Sequence, residues 1–140
     1  MSEIENRIDD KIGEIERCFR EMESIVPESF EEYSSDLKSK AACERYFERI
    51  MESVISILFL VIRGKNYESP RTEDSAFNLL ADKGIISQEL AVRMKEAKGM
   101  RNFIVHQYGE IDDSRVFHSV SEELNKDVME FIESVKRVRW

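Results

Sequence analysis

The chain is predicted to fold as an all-α, up-and-down bundle of four to five helices, and three observations lead there. Apolar residues recur at steps of three and four along most of the 140 residues, the period of a helix face. Turn residues are scarce, with 5 Gly and 2 Pro, too few for a many-stranded sheet. No stretch is patterned convincingly as a strand. Hydrophobic residues at 41% make the chain too apolar for disorder, and its length suits a single helical domain over residues 1–140 without a linker.

Five helical segments follow in order. Ile4, Ile8, Ile12, Ile15, Phe19 and Met22 line one face of the first, which Pro27 closes. A polar stretch through Ser34 and Ser35 leads to Asp36, the expected N-cap of the second helix. That helix carries Leu37, Cys43, Phe47, Ile50, Val54, Ile57, Leu58 and Val61. From Val54 on it is apolar all round, which predicts burial on most sides, and Gly64 is its expected stop. Thr72 caps a short third helix over about residues 73–82, ended by Gly84. Ser87 caps the fourth, which contains Leu90, Met94 and Ala97, runs to Gly109, and is expected to be anchored in the core by Phe103, Ile104 and Val105. Asp113 is the expected cap of the last helix, whose buried face is Val116, Val120, Leu124, Val128, Phe131, Val135 and Val138.

Charge and cysteine usage narrow the function. The net charge is −8, and the acidic balance favours solubility over general polyanion binding. A nucleic-acid site therefore needs a local basic patch, and Arg93, Lys95, Lys98 and Arg101 form one in sequence, opposed only by Glu96. Cys18 and Cys43 have no metal-ligand spacing and no histidine close by, so they are expected to be reduced core thiols, and neither metal nor other cofactor is expected. The start is charged from Glu3 onward, unlike a signal peptide. The apolar run from Val54 to Ile62 is about half a membrane span. A cytoplasmic protein without membrane contact is expected.

One of the two histidines stands in chemically capable company. The segment Arg101-Asn102-Phe103-Ile104-Val105-His106-Gln107-Tyr108-Gly109 sets four polar side chains around an apolar triplet. Arg101 and Tyr108, seven apart, share a helix side, as do Asn102 and His106, four apart and about 100° round from the first pair, so all four are expected on one broad face at the helix end. A histidine can take a proton from a ribose 2′-hydroxyl or give one to the leaving oxygen. An arginine offers permanent charge and fixed donors to the non-bridging phosphate oxygens, and Asn102 can orient the imidazole or donate to the same phosphate. The set suits phosphodiester cleavage without a metal. Spacing alone favours helix-end capping by the histidine and surface ion pairing by the arginine over catalysis. His118, beside Phe117 in the last helix, is read as structural or solvent-facing.

Resemblance shifts that balance. Arg101-x-x-x-x-His106-x-Tyr108 resembles the R-x-x-x-x-H-x-Y motif of the HepT toxins, a family of the HEPN superfamily. Met94-Lys95-x-Ala97-x-Gly99-Met100-Arg101-Asn102 is similar to the family's "RKMAGFRN" lead-in, and Tyr108 followed by Ile111-Asp112 and Arg115-Val116 to its "Y…VD…RV" continuation. The Gly84-Ile85-Ile86 turn also resembles the family's segment before the catalytic helix, and the likeness covers about residues 36–138. It implies a HEPN-like homodimer with both motifs bordering one cleft, and metal-independent cleavage of RNA by Arg101 and His106, with Asn102 in support. It also implies a partner, an MNT-type nucleotidyltransferase antitoxin that attaches AMP to Tyr108. Two other readings stay open: a non-catalytic HEPN dimer that binds a nucleotidyltransferase or nucleotide, and a purely structural helical dimer. The retained Arg101, Asn102 and His106 speak against a mere scaffold. A dimer is also expected because the apolar first and second helices offer more surface than one short bundle covers.

Overall fold

The computed structural model describes residues 2–106 and 112–140, and the described residues are helical with no strand among them. The elements are α1 (Glu3–Glu23), α2 (Phe30–Ser35), α3 (Leu37–Gly64), α4 (Glu73–Asp82), α5 (Gln88–His106), α6 (Asp113–His118) and α7 (Leu124–Lys136), with a π-helical turn, Ser119–Glu123, joining the last two. The long helix α3 is the hub. Its buried side chains include Cys43, Phe47, Ile50, Val54, Ile57, Leu58 and Val61, each fully buried apolar side chain being worth about 1.5–3 kcal/mol relative to exposure.

Helix α1 lies antiparallel on α3: Tyr46 donates to Glu21 at 2.8 Å, Arg49 pairs with Glu14, and Gly64 sits against Ile4. The pair also buries Ile8, Ile12, Ile15, Phe19 and Met22. Helix α4 antiparallels α5 through Lys98–Asp74 (2.8 Å), and α5 is held to α7 by Arg93, which reaches Asp127 at 2.6 Å and Glu130 at 3.0 Å.

Most helix ends follow from local chemistry. Asp36, Thr72 and Ser87 accept backbone N–H groups as N-caps. After α4, Gly84 takes a left-handed φ of 75°, with Gly84 N–H to Ala81 O and Ile85 N–H to Leu80 O closing a Schellman motif. Three expectations are corrected. The cap of α6 is Asp112, which accepts from Ser114 and Arg115, while Asp113 is already helical and pairs with Lys40 at 2.7 Å. Helix α3 stops not on Gly64, its last helical residue, but on Asn66 at φ 57°. Finally, the polar stretch before Asp36 contains a helix, α2, capped by Ser29 and pinned by buried Tyr33 against Phe117, ring centroids 5.2 Å apart.

The π turn has a reason in sequence. Val116, Val120, Leu124 and Val128 are all buried yet spaced by four, which drifts off one face of a regular helix; a π bulge inserts the extra residue that restores the phase. Val138 is only partly buried, and Leu37, expected with the apolar residues of α3, is 76% exposed at the helix start. Cys18 and Cys43 are buried and free, and burial pushes the Cys43 thiol up to about 11.

Gly64 is required for close approach rather than for turning. A Cβ there would lie 2.5 Å from the Trp140 ring, which is 46% exposed. Gly64→Ala gains about 1 kcal/mol of helix propensity but displaces a half-buried indole worth up to about 3 kcal/mol. The net expectation is a loss of about 1–2 kcal/mol, read as a lower Tm together with red-shifted emission from the sole tryptophan. A raised Tm would show that the ring contributes nothing.

Candidate active site

Helix α5 presents two different sides at its C-terminal end. Arg101 turns towards α3: its Nη2 donates to Glu52 Oε1 at 3.4 Å and its Nη1 to Asn102 Oδ1 at 2.9 Å. The guanidinium side chain is 20% exposed, and its Nε is buried without a partner among the described residues. His106 stands exposed on the last described residue of α5. Five residues of helix separate the two by about 140° around the axis, so within one chain they do not share the one broad face expected: Arg101 is seated against Glu52 and His106 is exposed. Tyr108, Gln107 and the expected stop at Gly109 lie outside the described residues.

The apolar triplet is corrected. Only Ile104 is buried; Phe103 is 44% exposed and Val105 intermediate. Phe103 instead lines a groove of about 380 Å³ with Met100, Ile104 and Val116. With Val92, 50% exposed, and Gly99, near which nothing comes within 4 Å, it makes the outward face of α5 partly apolar. The apolar faces of α1 and α3, expected to be in surplus, are covered within the chain.

Glu52 was not found from sequence. It lies 49 residues from Arg101, and its one signal is a carboxylate at the head of an apolar run. Its pair with Arg101 is solvent-touched, so it is worth about 1 kcal/mol at most. Such a bond fixes the direction of a guanidinium yet yields readily to a phosphate, which offers bidentate acceptors of equal or greater charge.

The basic patch read from α5 is not a free patch. Arg93 is taken by Asp127 and Glu130, Lys98 by Asp74, and Lys95 by Asn78 at 2.8 Å. Residues close in sequence on a helix point in different directions, and each here meets its own partner. His118 is solvent-facing, 3.5 Å from Glu122 and 3.7 Å from Glu123. Among the described residues no group of His, Cys, Asp or Glu is placed to hold a metal, and no helix is long and apolar enough to cross a membrane.

Known proteins resemble this chain over nearly all of its length. The mRNA nuclease HepT of Shewanella oneidensis is 28% identical over 126 residues, 90% of this chain and 93% of that protein. The tRNA nuclease HepT of Aphanizomenon flos-aquae is 31% identical, over 84% of this chain and 78% of its own. A solved structure of a tri-AMPylated Shewanella oneidensis HEPN toxin in complex with an MNT antitoxin superposes with a TM-score of 0.88, at 28% identity, over 99% of this chain and 100% of that one. The family model described as "Ribonuclease HepT-like" matches residues 15–135. The chain therefore belongs to the HepT-like ribonuclease family.

Proposed function

We propose that this protein is a metal-independent endoribonuclease, the toxin of a HEPN/MNT toxin–antitoxin pair, acting in the cytoplasm as a homodimer with one HEPN-like domain per chain. Arg101 and His106 are its catalytic pair, Asn102 orients the arginine, and Tyr108 is the control point. The observation that carries the reading is the seat of Arg101. In a HepT-like ribonuclease, a permanent cation held by a displaceable carboxylate is a site prepared for an anion.

The chemistry needs no group the chain lacks. One imidazole removes the 2′-hydroxyl proton, the freed oxygen attacks phosphorus, and the 5′-oxygen leaves with a proton from an acid, giving a 2′,3′-cyclic phosphate. Arg101 neutralises the charge that builds on the non-bridging oxygens. A single histidine cannot be unprotonated base and protonated acid at once. A dimer whose motifs share a cleft supplies two, and the exposed apolar face of α5 around Gly99, beside His106, is the surface that a second copy covers.

His106→Ala and Arg101→Ala are each expected to lose nearly all RNase activity, and the double variant little more, because groups acting as a unit do not add. Both should keep the helical signal and twice the chain mass in light scattering. A folded His106→Ala that cuts at the parental rate removes the catalytic assignment. A monomer removes the shared cleft.

Glu52 is expected to act through Arg101. Glu52→Ala should lower kcat by about ten- to a hundred-fold, the scale of a misplaced catalytic group, with stability changed by no more than about 1 kcal/mol. Glu52→Gln, which keeps an acceptor for the guanidinium, should recover most of it. Parental activity in Glu52→Ala would mean that the ion pair positions nothing.

Tyr108 supplies the off switch. AMP on its phenolic oxygen adds a phosphodiester charge and a bulky base seven residues from Arg101 in sequence, where they compete with the scissile phosphate for the guanidinium. Co-expression with a cognate nucleotidyltransferase, followed by intact mass and peptide mapping, should find AMP-sized additions on the Tyr108 peptide. Tyr108→Phe should fold, escape modification and stay toxic. Additions that leave Tyr108 untouched would overturn this control mechanism while leaving the nuclease assignment in place.

A further inference from the structure

We propose that the groove between α1 and the C-terminal half of α3 is a binding site for single-stranded RNA that leads the strand to Arg101; it rests on the ribonuclease reading above. The groove encloses about 670 Å³ and is lined by Arg7 and Lys11 of α1, Phe59 and Arg63 of α3, and Asn66 and Tyr67 just beyond it. No Asp or Glu is among its lining residues. Among the described residues none of the three cations takes part in an ion pair. A lone solvated lysine or arginine is ordinary. Three unpaired cations around one carboxylate-free groove are not, in a chain of net charge −8 where the cations of α5 are all taken.

The lining matches a single strand better than any other polyanion. Cations meet phosphates, and Phe59 and Tyr67, both partly buried, offer faces on which unpaired bases stack. Duplex bases are already stacked on each other and gain nothing from these rings. An acidic protein segment has no use for two aromatic platforms. Lys83 Nζ, 4.9 Å from the Tyr67 ring centroid, adds a cation beside the groove. Stacking of this kind tolerates any base, so the site selects strandedness rather than sequence.

The groove is also continuous with the candidate active site. Arg45, Arg49, Glu52, Ser56, Phe59 and Arg63 recur at steps of four and three, one stripe along α3. Lys11 and Ser56 line both this groove and a second one of about 420 Å³ that reaches Glu52, the partner of Arg101; this second groove is of mixed charge, with Asp10 and Glu14 beside Arg45 and Arg49. From Arg63 to Glu52 the helix rises about 16 Å, room for at most about five stacked nucleotides at 3.4 Å each.

The test uses full-length protein carrying His106→Ala and a fluorescein-labelled twelve-nucleotide single-stranded RNA, with binding followed by anisotropy over a salt series. Adding Arg7→Gln, Lys11→Gln and Arg63→Gln should weaken binding at least about tenfold and flatten the slope of log K against log salt by roughly 2, at about 0.7 per phosphate contact. A control with the same loss of charge elsewhere, Lys38→Gln with Lys126→Gln and Lys136→Gln, should bind within twofold of its parent. Should the triple variant fail to fold, Arg7→Gln and Arg63→Gln singly should each flatten the slope by about 0.7. Unchanged binding in the groove variants overturns the proposal, as does an equal loss in the control. The ribonuclease reading fails separately, if protein with His106 intact cuts no RNA.

Discussion

The need to bury α3 governs this fold. From Val54 to Ile62 only Ile55, Ser56 and Phe59 keep partial exposure; the other side chains are buried, and no single neighbour can cover a helix on so many sides. The rest of the chain is arranged to do so, with α1 along one flank, α2 near its start, and α4 and α5 on another side. Each flank is then fastened by a few polar contacts that set register rather than stability: Tyr46 to Glu21 and Arg49 to Glu14 on one side, Arg101 to Glu52 on the other. What remains uncovered on the C-terminal half of α3 is a stripe that carries Glu52 and Arg63.

The electrostatics follow the same logic. A net charge of −8 says little about where an anion would bind, because potential depends on which charges are cancelled locally. The four cations on α5 are spent on Asp127, Glu130, Asn78, Asp74 and Glu52. Of these bonds only that of Arg101 lies on the family motif, and it couples a guanidinium partly withdrawn from water to an exposed carboxylate, an arrangement that holds direction at small energetic cost. The cations that line the groove between α1 and α3 are scattered in sequence, at positions 7, 11 and 63, and only folding brings them together.

How much was legible in sequence depended on the range of the interaction. Caps are local, so Asp36, Thr72, Ser87 and the Gly84 turn were readable, as were the buried faces of α1, α3 and α7, which repeat over many turns. Helix α2 was not, because six residues with a single buried side chain, Tyr33, show no period. Asp112 and Asp113 are neighbours of equal capping chemistry, and nothing local chose between them. Gly64 looked like a stop, but its missing side chain serves Trp140, 76 residues on, while Asn66 does the turning. Arg101, Asn102 and His106 came from a motif carried within a few residues. Glu52 and the groove could not have been found that way, since what defines them is contact between elements far apart in the chain.

The ends of the cut RNA report most directly the chemistry attributed to Arg101 and His106. Purified protein, held in excess chelator, should cleave a single-stranded RNA and leave a 2′,3′-cyclic phosphate or its 3′-phosphate hydrolysis product, visible by mass spectrometry. The same strand with a 2′-deoxy sugar at the cleaved position should stay intact, because the attacking oxygen is gone. Cleavage that needs a divalent ion, that leaves a 3′-hydroxyl, or that proceeds through the deoxy position would contradict it.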